Sequence, residues 1–204
     1  MNKLAAVVAI AGLAGVATAQ TAITSFSGGG TFPAWSADGP GVVGWRFDVN
    51  TAIVLTDIGV WNNDAVLGFE GLTSSHEVGL WDSAGNLLTS GTVNPGDTAI
   101  GEFTYTDVAD VNLVPGERYT IGAVYDILDN DNYISGPSTF DLADEINATT
   151  NGVFPNDADL GGLNFPTGDS TNLARLGTNF LFVPAPSTAA LLGLGGLAAV
   201  RRRR

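Results

Sequence analysis

Residues 113–125 read Leu-Val-Pro-Gly-Glu-Arg-Tyr-Thr-Ile-Gly-Ala-Val-Tyr. Pro115-Gly116 predicts a type II turn, because Pro sets φ at the first central position and Gly accepts positive φ at the second. From Arg118 on, Tyr119, Ile121, Ala123 and Tyr125 occupy alternate positions. A helix would scatter these side chains around its axis, whereas a strand gathers them on one buried face. The stretch therefore predicts a turn followed by a half-buried strand.

The same grammar recurs on both sides. Trp45, Phe47 and Val49 alternate with Arg46 and Asp48, and Asn50-Thr51 turns the chain. Ile53 to Trp61 is a β-branched run interrupted by Thr56-Asp57, where a bulge is expected. Glu77 to Trp81 leads through Asp82-Ser83-Ala84-Gly85-Asn86, a hairpin turn, into Leu87 to Val93. Asn94-Pro95-Gly96-Asp97 is a further turn, after which Phe103 and Tyr105 share one face and Val108 to Leu113 continues extended. Thr21 to Phe26 reads as a first strand, and Asn179 to Val183, with Phe180 and Phe182 on one face, as a last. Residues 135–172 lose the alternation and read as a long covering loop, with one or two helical turns at Asp141 to Asn147. Some seven to nine short strands, with turns about every 8–12 residues and no βαβ rhythm, predict an all-β protein with a single antiparallel β-sandwich.

The 204 residues suit one domain. With no Cys and one His, a disulfide framework, a thiolate metal site and a His pair are all excluded. All 21 acidic residues fall between 20 and 183, with three Arg, a balance of −18. So acidic a body repels phosphate backbones, which excludes nucleic acid as a partner.

The termini carry addresses. Lys3, then the uncharged apolar run Leu4 to Val16, then Ala17-Thr18-Ala19 have the order of an export signal, cleaved after Ala19 to leave Gln20 first. At the other end, Val183-Pro184-Ala185-Pro186 breaks the chain. Ser187 to Val200 follows without a charge, and Arg201, Arg202, Arg203 and Arg204 end it. Fourteen residues of helix reach about 21 Å against a hydrocarbon core of about 30 Å, so the tail is a short apolar helix that engages a membrane with its Arg on the cytoplasmic side. The chain thus divides into a leader (1–19), a β-sandwich body (20–183) and a sorting tail (184–204).

The tail resembles the PEP-CTERM sorting signal of Gram-negative-type bacteria, on Val183, Pro184, Pro186, Ser187, Leu191, Leu192, Gly193 and the four terminal Arg. It departs from the family pattern at Ala185, where Glu is usual. The resemblance implies recognition by a membrane-embedded exosortase-type peptidase and delivery to the envelope or an extracellular polysaccharide matrix. The body, at Gly44 to Val49, Ser75 to Asp82 and Leu113 to Gly122, is similar to a domain often found ahead of such signals. That similarity implies a jelly-roll-like sandwich with no assigned activity.

Candidate chemistry is sparse. His76 next to Glu77, with Asp82 six residues on, has the composition of a general base or metal ligand, yet strand geometry sends His76 and Glu77 to opposite faces. A structural hydrogen-bonding role is the plainer reading. Asp126, Asp129 and Asp131 form one acidic loop, and Asp157 and Asp159 a second; both have the hard oxygens that suit Ca²⁺, but neither completes an EF-hand loop. The expectation is no required metal or cofactor. Trp35 and Trp61 flank loops and are the aromatics placed to stack on a sugar ring, while Trp45 and Trp81 belong to strand faces. There is no Gly-x-Ser-x-Gly elbow and no phosphate-cradling Gly-rich loop. The leading function is an exported, noncatalytic envelope or matrix protein. A carbohydrate-binding module of the polysaccharide layer comes next, and an exported glycoside hydrolase-like enzyme last.

Overall fold

Alternation becomes pairing in the structure, a computed structural model that describes residues 18–34, 36, 38–62, 71–172 and 174–185. Ala17, Trp35, Pro186 and Arg201 to Arg204 lie outside the described residues. In chain order the strands are β1 (Gln20–Thr21), β2 (Ile23–Ser27), β3 (Gly30–Phe32), β4 (Gly41–Val49), β5 (Ile53–Trp61), β6 (His76–Asp82), β7 (Leu87–Val93) and β8 (Thr98–Ile100). They continue with β9 (Phe103–Leu113), β10 (Arg118–Tyr125), β11 (Tyr133–Ser135), β12 (Thr139–Leu142), β13 (Ile146–Phe154), β14 (Gly168–Asp169), β15 (Arg175–Leu176) and β16 (Thr178–Pro184). A short 3₁₀ turn at Asp157–Asp159 is the sole helical element among the described residues.

The strand after the Pro-Gly turn lies inside a six-stranded antiparallel sheet ordered β14-β13-β4-β10-β6-β7. Gly116 takes φ +84, as the turn requires. A five-stranded antiparallel sheet, β1-β16-β5-β9-β8, faces it across one hydrophobic core. The Phe180 ring of β16 lies 4.9 Å from Phe47 and 6.2 Å from Trp45, both on β4. Trp45, Phe47, Ile121, Phe180 and Phe182 are fully buried. Each aromatic so buried contributes roughly 1.5–3 kcal/mol relative to exposure. Two small antiparallel sheets, β15-β11-β3 and β12-β2, complete the body. Residues Ala19–Ala185 make one compact unit.

Three readings of the sequence are refined here. The register shift between Leu55 and Asp57 falls where Thr56-Asp57 interrupts the apolar run. Residues 135–172, by contrast, are more than a loop. They supply β12, β13 and β14, and β13 is a nine-residue member of the large sheet; Asp141 to Asn147 forms strand ends around a turn rather than helix. Its register against β4 shifts between Ala148 and Gly152, and a shift of that kind destroys the period-two pattern by which a strand is recognised. Finally, β16 runs through Pro184, which pairs with Ile53, and the Ala185 amide still bonds the Ala52 carbonyl. Alternation turns position 184 toward the β1 side, where pairing ends at Gln20–Phe182, so the missing N–H removes no ladder bond. No helix of the described residues is long and apolar enough to cross a membrane. The expected tail helix falls on residues outside them.

Candidate functional site

His76 opens β6 with its ring buried and 4.8 Å from that of Tyr125. Its Nδ1 lies 2.8 Å from the Val124 carbonyl and its Nε2 3.0 Å from Asp131 Oδ2. Both neighbours are acceptors, so the ring satisfies both only as the doubly protonated imidazolium. Burial alone would lower its pKa; the Asp131 hydrogen bond and the Val124 carbonyl outweigh burial and raise it above 6.5. The partner is therefore Asp131, not Glu77 or Asp82. Asp82 is occupied in its own turn, accepting from the Ala84 and Asn86 amides and the Asn86 side chain.

Asp131, one of the loop carboxylates suited to Ca²⁺, is engaged by protein donors. Its carboxylate accepts from the Thr73 and Ser74 amides at 2.8 Å, from the Thr73 hydroxyl at 3.1 Å and from His76. Burial pushes its pKa up, but His76 and the two amides hold it below the ordinary carboxylate value. Asp129 accepts from the Asp126 amide, and Asp126 from the Leu128 amide, which closes the loop on itself. In the second cluster, Asp159 accepts from the Asn156 amide and from the Thr167 amide and hydroxyl. Asp157 begins the 3₁₀ turn. No group of three or more His, Cys, Asp or Glu among the described residues is placed to hold a metal.

The three described tryptophans, Trp45, Trp61 and Trp81, are all buried. Trp45 donates Nε1–H to the Thr178 carbonyl at 3.0 Å, and Trp81 is buried edge-on to Phe165. Trp61, expected at a ligand-facing rim, is only 3% exposed, its ring 6.2 Å from Phe26 of β2. A contact between segments this far apart in the chain buries what the local sequence leaves open.

A cleft of about 290 Å³ opens instead beside Trp61, between β2 and the β8–β9 hairpin. Phe180 points at the six-stranded sheet, so Asn179, its neighbour on β16, points the opposite way. Asn179, Gly59 and Tyr105 form one row across β16, β5 and β9. Gly59 has no side chain, and the Tyr105 ring fills that space: a Cβ at 59 would lie 2.6 Å from it. Asn179 clamps β2, accepting from the Ile23 amide at 2.9 Å and donating to the Ile23 carbonyl at 3.2 Å. Trp61 Nε1 is buried without a hydrogen-bond partner, and the Asn179 side chain is the hydrogen-bonding neighbour of the buried Tyr105 hydroxyl. Burial pushes the Tyr105 pKa well up, so the hydroxyl stays a neutral donor.

The family model described as a domain of unknown function, DUF4082, matches residues 30–174, more than half of the chain. The chain belongs to the DUF4082 family. No curated protein and no solved structure matches it. The DUF4082 segment contains the His76–Asp131 pair and the cleft wall from Ile100 to Tyr105, whereas Ile23, Phe26 and Asn179 lie outside it. Sequence reasoning did not bring Tyr105 and Asn179 together, because only strand register places them in one row. The signal available was the glycine at 59 in an otherwise β-branched strand, a mark of close approach.

Proposed function

We propose that this DUF4082 chain is an exported, noncatalytic cell-envelope or extracellular-matrix protein, with a jelly-roll-like β-sandwich body and a C-terminal PEP-CTERM-type signal read by an exosortase-type peptidase. The observation that carries the reading is where the compact unit stops. Ala19–Ala185 ends at the expected cleavage site on one side and inside the Pro184-Ala185-Pro186 motif on the other. Two large sheets sharing an aromatic core support the sandwich assignment. His76 and the loop carboxylates are committed to protein hydrogen bonds, which supports a noncatalytic role.

Expression of the full chain in a bacterial host carrying an exosortase-type peptidase tests this. Envelope material begins at Gln20, and replacing Arg201 to Arg204 with Gln weakens membrane retention by about 1 kcal/mol per residue at an anionic leaflet. Folded cytosolic protein that keeps Met1 overturns the proposal. A second reading, carbohydrate binding in the polysaccharide layer, is favoured by the cleft beneath β2.

A further inference from the structure

We propose that β7, an outer strand of the six-stranded sheet, is where a second copy of this chain pairs, antiparallel and about a twofold axis at Ser90, so that one sheet runs through both sandwiches. The proposal goes beyond the envelope reading and does not depend on export.

A sheet edge presents unpaired N–H and C=O groups that template a further strand, and proteins blunt such edges by keeping them short or by placing charge, Pro or a bulge on them. Among the outer strands of the two large sheets, β1 and β14 have two residues each and β8 has three. Where β9 runs on past its pairing with β8, it carries Asp107 and Asp110, both exposed. β7 differs on each count. It is seven residues long, Leu87-Leu88-Thr89-Ser90-Gly91-Thr92-Val93, with no charge and no Pro. Its register against β6 shifts only near the start, which leaves Thr89 to Val93 in regular pairing. Among the described residues its backbone bonds only to β6 and, at the Thr92 carbonyl, to the Asn94 side chain.

Charge and symmetry select the occupant. The body is strongly acidic, so two copies repel wherever their carboxylates face one another. No charged residue lies between Asp82 and Asp97, so β7 is an edge at which copies approach without opposing charges. A charged strand gains no counterion there, whereas an uncharged extended strand fits, and β7 is itself one. Full overlap of two antiparallel copies sets Leu87 opposite Val93 of the second copy, Leu88 opposite Thr92, and Ser90 opposite itself, an isologous contact. Thr89 and Val93 stay buried against the other sheet, and a Cβ on Gly91 would lie 2.9 Å from Val108 of β9. Leu88, 39% exposed, gains the Thr92 methyl as a cross-strand neighbour on the solvent face. Asp107 and Asp110 guard the edge of the five-stranded sheet, which stays apart. One strand per copy buries less than the roughly 1,200–2,000 Å² of a stable interface, so the dimer is transient.

Sedimentation equilibrium of the full chain in a density-matched detergent tests the pairing. A monomer–dimer equilibrium centred at about 10–100 μM is expected. It strengthens between about 0.05 and 0.5 M NaCl, because salt screens the repulsion between the acidic bodies. Ser90→Lys, at an exposed position, leaves the melting temperature close to that of the wild type and weakens association at least about tenfold, since like charges then meet across the axis. Mixing Ser90→Lys with Ser90→Glu chains restores association, which a merely structural effect of either substitution would not. In a chain with no Cys of its own, Ser90→Cys forms an intermolecular disulfide under mild oxidation, and Glu117→Cys, exposed in the turn before β10, does not. A chain that stays monomeric up to about 1 mM overturns the proposal. So does association that Ser90→Lys leaves intact, which places the contact in the tail or on another face. None of these readouts involves leader cleavage or membrane retention, so failure of the pairing and failure of export are distinguishable.

Discussion

His76 and Asp131, 55 residues apart in sequence, meet at 3.0 Å in a buried ion pair that joins the start of β6 to the loop after β10. The pair closes two backbone segments at once, because Asp131 also accepts from Thr73 and Ser74 while His76 holds the Val124 carbonyl. Breaking such a pair from one side strands the other charge in the interior, which typically costs about 3–5 kcal/mol.

The pair sets a stability window. His76 has a raised pKa, so its contribution is complete below pH 6.5 and lost as pH climbs through the raised value. Asp131 has a lowered pKa, so its contribution is complete above pH 3.8 and lost as pH falls through the lowered value. Denaturant melts across pH should show the full contribution between those limits and a decline above them that is absent in His76→Gln. Parallel wild-type and His76→Gln profiles on the alkaline side would show that the pair does not titrate with folding.

Gly44, Gly122 and Gly79 lie in one row across β4, β10 and β6. A Cβ on Gly44 would run into the Ile121 carbonyl oxygen, which is backbone and cannot rotate away. Gly44→Ala should cost at least the upper part of the roughly 1–3 kcal/mol usual for overpacking. Gly96→Ala, with open space around it, should stay within about 0.5 kcal/mol of wild type. Equal midpoints for the two variants would mean the row is looser than this register demands.

Phe47 touches Trp45, Tyr119 and Phe180 and is fully buried. Phe47→Ala should lower stability by about 3–5 kcal/mol, combining lost burial with the cavity left behind. Phe32→Ala, at a residue 46% exposed, should cost far less. Equilibrium unfolding of both gives the comparison, and a small loss at Phe47 would argue against a core shared by the two large sheets.

Chelation should leave the melting temperature unchanged. The Asp131, Asp129 and Asp159 carboxylates already accept N–H and O–H donors from their own loops, and a cation would have to displace those bonds. A fall of many degrees in excess EDTA would mean that the loops exchange these donors for metal.

Much of the strand grammar is local and was legible. Trp45 to Val49 alternates buried side chains with half-buried Arg46 and Asp48, whereas in Tyr119 to Tyr125 the large apolar residues alternate with Thr120 and Gly122, which are buried too, so the strand expected to be half-buried is covered on both faces. Where a register shift breaks the period, as in β13, the signal vanished and a nine-residue strand read as loop. Trp61 read as a rim residue because it closes its strand beside a loop; Phe26, 35 positions earlier in the chain, packs edge-on against its ring.

The all-β class, the turns and the acidic balance of the body follow from local pattern and composition, since periodicity, Pro-Gly chemistry and charge are properties of neighbouring residues or of the whole count. The order of strands within each sheet, the partner of His76, the fate of the Asp-rich loops and the row Asn179–Gly59–Tyr105 were decided by tertiary structure alone. Each depends on register between segments tens to more than a hundred residues apart. Which side chains meet there is settled by how the two large sheets and their covering strands bury apolar area together, a quantity no short window of sequence contains.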